Sequence, residues 1–165
     1  FPLRYRRAGV LGVVCPGKHR RPFRAGVRAH FTEGGRCAVG NLAHRLPAHA
    51  TVLGRLLLSD LDMAALKKLY PETPLPKYTD KTPTTLKQLK VLIDADRAAG
   101  YGLSQGGFET GISTIAAPVF NDEQRVVAAV SITVPAQHVT HEQADQLIQL
   151  VCDAASQLTQ RISHL

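Results

Sequence analysis

At 165 residues the chain is one domain's worth of polymer, and with no Trp and few aromatics its core must rest on Leu, Ile, Val and Ala. No apolar run approaches the ~18 residues of a spanning helix, Val10–Cys15 is too short and interrupted for a signal peptide, and Cys15, Cys37 and Cys152 suit a reducing cytoplasm better than a disulfide framework. The net charge of +7 is uneven: Phe1–Arg45 carries ten Lys and Arg against Glu33 alone (+9), and the remaining 120 residues carry ten basic against twelve acidic side chains (−2). The later part of the chain therefore has no intrinsic claim on nucleic acid.

Phe1–His44 is rich in Arg, Gly and Pro, with basic clusters at Arg4–Arg7 and Lys18–Arg24. Its apolar pieces Gly9–Cys15 and Gly26–Phe31 each read as a strand, and no helical period occurs. One reading of this segment is a basic arm that binds phosphates non-specifically. Another, drawn from the abrupt charge shift near Arg45, is an atypical or out-of-frame start to a truncated protein. Cys15, His19, His30 and Cys37 lack any C-x-x-C, so a zinc site is not expected.

His49–Ser59 reads as a short helix after Pro47, with Leu53, Leu56 and Leu57 as its buried stripe. Gly54 sits inside it at a cost of roughly 0.5–1 kcal/mol against Ala, which implies either close helix–sheet packing or close approach of a ligand. Ser59 is expected to cap a second helix to about Tyr70, with Asp62 completing an acidic variant of the capping box. Pro71–Pro83 is extended and Pro-punctuated, an Ω-type crossing or interface segment rather than a hinge. A third helix is predicted over Pro83–Ala99, with Thr82 as N-cap, Leu86, Leu89, Leu92 and Ile93 as its stripe, and Gly100 ending it in the αL conformation. A final helix, Thr140–Ile162, opens on a Thr140/Gln143 capping box and carries an apolar stripe from Ala144 to Ile162. His138 and His141 lie three apart without a third ligand and read as solvated.

Between the last two helices, Tyr101–Leu103 begins a strand, and Ile112–Phe120 and Arg125–Val134 flank the polar break Asn121–Gln124 as a β-hairpin. Alternation puts Ile112, Thr114, Ala116 and Pro118 on one face, and Val127, Ala129, Ser131 and Thr133 on one face of the partner. Both faces are largely apolar, so the hairpin should be covered on both sides. The hydroxyls of Thr114, Ser131 and Thr133 either bond to backbone or water or line a small polar-bottomed cavity, since an unpartnered buried hydroxyl costs ~1–3 kcal/mol. The catalytic constellations are missing: no nucleophile with a base, no paired carboxylates, and Gly106-Gly107 is too short for a dinucleotide loop.

G-Y-G-L at Gly100–Leu103, a polar quartet, G-I-S-T-I-A-A-P-V-F at Gly111–Phe120 and V-V-A-A-V-S-I-T-V-P at Val126–Pro135 together resemble the effector-binding domain of IclR-type bacterial transcriptional regulators. An upstream block, R-L-P-A-H-A-T-V-L-G-R-L-L-L-S at Arg45–Ser59, stands in the same order and spacing as in that family, and the resemblance runs from about Leu46 to Leu165. It implies an α/β (α+β) fold of the GAF-like kind, a mixed, mostly antiparallel sheet with helices on both faces. In that family the region upstream supplies a helix and two or three strands of the same sheet, which residues 1–45 do not match, so the expected division is a basic, atypical N-terminal segment, 1–45, with partial strands of the same domain, and an effector-binding domain, 46–165. The implied ligand contacts are Leu53 and Gly54 in the first helix, Ser104 at the head of the quartet, Ile112 and Thr114 on one strand, and Ser131 and Thr133 on its partner. Many members carry acidic residues where this chain has Ser104-Gln105-Gly106-Gly107, so no relative's ligand transfers directly. The expected ligand is a small carboxylate or aromatic acid, with no cofactor, no metal and no catalysis. The expected partners are further copies of the chain, as dimer or tetramer, and DNA only through a winged helix-turn-helix not present in this chain; no membrane is expected, and the location is cytoplasmic. The alternatives are a small hydrolase or isomerase on a similar scaffold, and non-specific nucleic-acid binding through the basic arm.

Overall fold

The hairpin is the centre of a seven-stranded sheet in the computed structural model, which describes residues 10–15, 24–33, 36–39, 44–138 and 141–162. Four strands come first: β1 (Val10–Cys15), β2 (Arg24–Glu33), β3 (Arg36–Val39) and β4 (His44–Pro47). Helices α1 (Val52–Leu57), α2 (Met63–Leu69) and α3 (Leu86–Ala99) follow, then β5 (Gly102–Gln105), β6 (Ile112–Phe120), β7 (Val126–Pro135) and helix α4 (His141–Ile162). The strand order is β3-β2-β1-β7-β6-β5, with β4 also paired to β2, and every described pairing is antiparallel. The apolar pieces around Val10 and Val27 therefore lie in strands that extend the hairpin's sheet through the β1–β7 ladder.

Helices cover both faces of the hairpin. On one, Leu147, Val151 and Ala155 of α4 pack on Ile115, Ala117, Val119, Ala128, Val130 and Val134. Burying each large member of such a set contributes roughly 1.5–3 kcal/mol, so this face is a main source of cohesion. The stripe weakens at its end, where Ile162 is exposed. On the other face Val52, Leu53 and Leu56 of α1 meet Ala116 and Ala129, small residues that let the helix come close. Leu58, Leu66, Leu89 and Ile93, all fully buried, join α2 and α3 behind α1.

Two caps differ from the sequence reading. Asp62, not Ser59, caps α2, its Oδ1 accepting from Ala65 N at 2.7 Å. Ser59 is absorbed in the turn that ends α1, where Leu61 N donates to Leu58 O at 3.0 Å. Thr85, not Thr82, caps α3 and forms the full capping box with Gln88. The reason was local: the box needs Glu or Gln three residues on, and Thr85 has one where Thr82 has another Thr. Gly100 closes α3 with φ +78°, as expected of an αL terminus. Thr140 of the expected α4 capping box lies outside the described residues.

Candidate functional site

A cavity of about 280 Å³ opens between α1 and the hairpin. Its floor is the α1-side face of β6 and β7, where the register sets Thr114 opposite Thr133 and Ala116 opposite Ser131. On the far side of β7, Ser131 pairs with Gly12 of β1. Thr114 and Thr133 bond to each other, Oγ1 to Oγ1, at 3.0 Å. One hydroxyl of such a pair must donate, so the other keeps a proton that can be offered into the cavity. Ile112, Thr114, Ser131 and Thr133 all line the space, and Ser131 is only 2 % exposed.

The opposite wall is the start of α1, with Ala50, Thr51, Val52 and Leu53 lining it beside Leu46. Thr51 caps the helix: its Oγ1 accepts from Gly54 N and donates to Pro47 O, both at 3.2 Å, so its hydroxyl is already used. Gly54 is not among the lining residues. A Cβ there would lie 2.2 Å from Ala48 Cα and O, so the missing side chain serves the packing of α1 on the turn before it. That is neither the sheet nor a ligand. Arg55, next in the helix, is buried and gives its Nε to Asp96 Oδ2 of α3 at 2.7 Å and its Nη2 to Leu103 O of β5 at 3.3 Å. The cavity helix is thereby bound to both α3 and β5.

The third wall is the end of β5 and the loop to β6, where Ser104 of the strand and Gly106, Gly107, Phe108 and Glu109 of the loop line the cavity. Ser104 Oγ accepts from Gly107 N at 3.2 Å, which closes the polar quartet on itself. The loop is fixed from outside by the Pro-rich segment. Thr79 Oγ1 donates to Gly106 O at 2.6 Å, and Thr82 Oγ1 donates to Gly107 O at 2.7 Å. Tyr78 packs against Phe108 with ring centroids 5.0 Å apart and planes tilted by 56°, and His49 lies 5.9 Å from both Tyr78 and Tyr70. His49 is 3 % exposed, with its Nε2 2.9 Å from Pro76 O; burial lowers its pKa below 6.5, so the neutral ring donates there.

Six of the seven sequence-nominated residues, Leu53, Ser104, Ile112, Thr114, Ser131 and Thr133, thus face one space, while Gly54 stands beside it. Sequence reasoning missed Thr79, Thr82 and Phe108. The signal for Thr82 was present, since a Thr with no Gln or Glu three residues on is free for another partner, but nothing local named that partner. Glu109, exposed at the rim, is the one charged residue among the described lining residues. Among the described residues no group of His, Cys, Asp and Glu could hold a metal ion. The arrangement can hold a small, mainly apolar molecule by hydroxyls at its buried end.

The family described as "Bacterial transcriptional regulator IclR C-terminal" matches residues 36–160. The chain belongs to the IclR C-terminal family. Among curated relatives, the HTH-type transcriptional repressor AllR of Klebsiella pneumoniae is 36 % identical over 121 residues, 72 % of this chain and 43 % of the relative. The Pca operon regulatory protein of Acinetobacter baylyi is 33 % identical over 119 residues, 72 % of this chain and 43 % of the relative. These relatives are regulators rather than enzymes, and this IclR C-terminal domain spans less than half of their length. Among solved structures, a double mutant of the PobR inducer-binding domain from Acinetobacter, in complex with 3-hydroxybenzoic acid, superposes with TM-score 0.76 at 26 % identity, covering 91 % of this chain and 87 % of that one.

Proposed function

We propose that this IclR C-terminal domain is the effector sensor of a transcriptional regulator and that its cavity takes a small organic acid. The observation that carries the proposal is the hydroxyl floor, Thr114 and Thr133 at 3.0 Å with Ser131 beside them, at the bottom of an otherwise mainly apolar space of about 280 Å³. A carboxylate there accepts from hydroxyls in a desolvated site, where charge-assisted hydrogen bonds are strongest, and Leu53 and Ile112 pack its remainder. The PobR inducer-binding domain with its bound hydroxybenzoic acid supports the ligand class. The rest of the regulator follows as part of the same reading: residues 46–165 as the sensor with strands β1, β2 and β3 of the first 45 residues joined to it, a DNA-reading domain outside this chain, self-association as dimer or tetramer, and a cytoplasmic location. The test is a melting-temperature screen with benzoate, 3-hydroxybenzoate and pyruvate, on the wild type and on Ser131→Ala. A rise for at least one acid that shrinks in the variant supports the pocket. No rise for any acid, together with a variant destabilised by more than ~1 kcal/mol, as loss of a structural hydrogen bond predicts, overturns it.

A further inference from the structure

Phe108 lines the cavity, yet its backbone N–H has no acceptor among the described residues. The direction of that N–H follows from the peptides on either side of Gly107. Across a trans peptide the C=O and N–H point opposite ways. In the Gly106–Gly107 peptide, Thr79 Oγ1 holds the carbonyl at 2.6 Å, and the opposed N–H reaches the cavity-lining Ser104 Oγ at 3.2 Å. The N–H side of this loop is therefore the cavity side. In the Gly107–Phe108 peptide, Thr82 Oγ1 holds the carbonyl at 2.7 Å with Thr79 Oγ1 at 3.3 Å, so the two threonines grip it from the same Pro-rich segment. The Phe108 N–H then points where the Gly107 N–H points, into the cavity. Gly107 puts no side chain of its own there; a Cβ on it would lie 2.6 Å from Ser104 Oγ and 3.1 Å from Ala50 O.

We infer that the Phe108 amide is a ligand-binding donor that takes a carboxylate or carbonyl oxygen of the effector, and that Thr79 and Thr82 are the positioning residues that aim it. The inference rests on the cavity being an effector site. It gives the Pro-rich segment a role: a buried threonine, Thr82 at 6 % exposure, spends its proton on a loop carbonyl 25 residues away. A rigid donor costs less to order on binding than a free loop would, which is how preorganisation raises affinity.

Selective ¹⁵N-phenylalanine labelling of the full chain gives at most five signals, one per Phe, and Phe108→Leu assigns the one of interest. In the free protein its amide should exchange with solvent within about tenfold of the open-chain rate, as an unbonded amide does. On saturation with benzoate, 3-hydroxybenzoate or pyruvate the signal should move downfield and its exchange slow. Thr82→Val should weaken binding about tenfold, the scale of one hydrogen bond to a charged group, while Thr82→Ser, which keeps the hydroxyl, stays within about twofold of wild type. Strong protection of the Phe108 amide in the free protein overturns the inference, because the donor would already be spent. So does an acid that raises the melting temperature and leaves this amide unmoved, and in that case the pocket itself stands. Equal binding by Thr82→Val and wild type overturns the aiming role. If no acid raises the melting temperature or moves any signal, the effector site falls and this inference falls with it.

Discussion

Thr133 shows how one side chain serves two states. In the structure its hydroxyl is bonded to Thr114 at 3.0 Å, yet both side chains also border the cavity. Thr133→Val leaves Thr114 able to turn to water or ligand, so free-protein stability should fall by less than ~1 kcal/mol while acid binding weakens by ~1.5–3 kcal/mol; melting curves with and without benzoate separate the two. His49 carries a different expectation. Burial holds its pKa below the ordinary 6.5, and its hydrogen bond to Pro76 O only partly offsets that. Below that ordinary value the unfolded chain takes up a proton that the folded chain refuses, so the stability His49 contributes is present above 6.5 and is lost as pH falls toward its depressed folded value. The melting temperature should therefore drop as pH falls below 6.5, and His49→Gln should flatten that part of the profile.

At the scale of elements, the cavity depends on how firmly α1 is seated. Arg55 and Asp96 are both buried, and burial raises the Asp96 pKa more than Arg55 lowers it, so the pair is held together against a desolvation cost. Removing one partner strands the other: Arg55→Met should cost about 3–5 kcal/mol of stability. Replacing both, Arg55→Met with Asp96→Leu, should recover a good part of it in chemical denaturation. Gly54 is the second seat. With the Ala48 backbone 2.2 Å from an added Cβ, Gly54→Ala must shift α1, at about 1–3 kcal/mol of overpacking, despite the helix propensity it gains. A Gly54→Ala variant as stable as wild type would show that the turn at Ala48 yields freely. The hairpin was legible because the strands alternate and a short polar loop joins them. The α2 and α3 caps are less legible, since several Ser, Thr and Asp residues compete near each start, and the cap is Asp62 rather than Ser59 in one and Thr85 rather than Thr82 in the other.

Over the whole molecule, charge divides the chain. The recognisable domain is near neutral and the excess lies in Phe1–Arg45. Any affinity of this chain for DNA should come from that segment, lack sequence preference and fall steeply with salt, because counterion release dominates phosphate contacts; a preference that survives raised salt would contradict this. No described helix is long and apolar enough to cross a membrane.

Local sequence determined the strand pair, its faces, the hydroxyls on one of them and the amphipathic stripe of α4, because period, turn residues and side-chain type are properties of neighbours along the chain. With the family resemblance it nominated six residues that the fold brings around one cavity. Only the tertiary structure decided what holds that cavity in shape. Thr79 to Gly106 spans 27 residues, His49 to Pro76 another 27, and Arg55 to Asp96 spans 41. A hydroxyl or a carbonyl is a generic partner, available at almost every position, so no local pattern names the distant one it will meet. Gly54 teaches the same lesson: its composition suggested a close approach, and only the fold showed that what approaches is the backbone of Ala48.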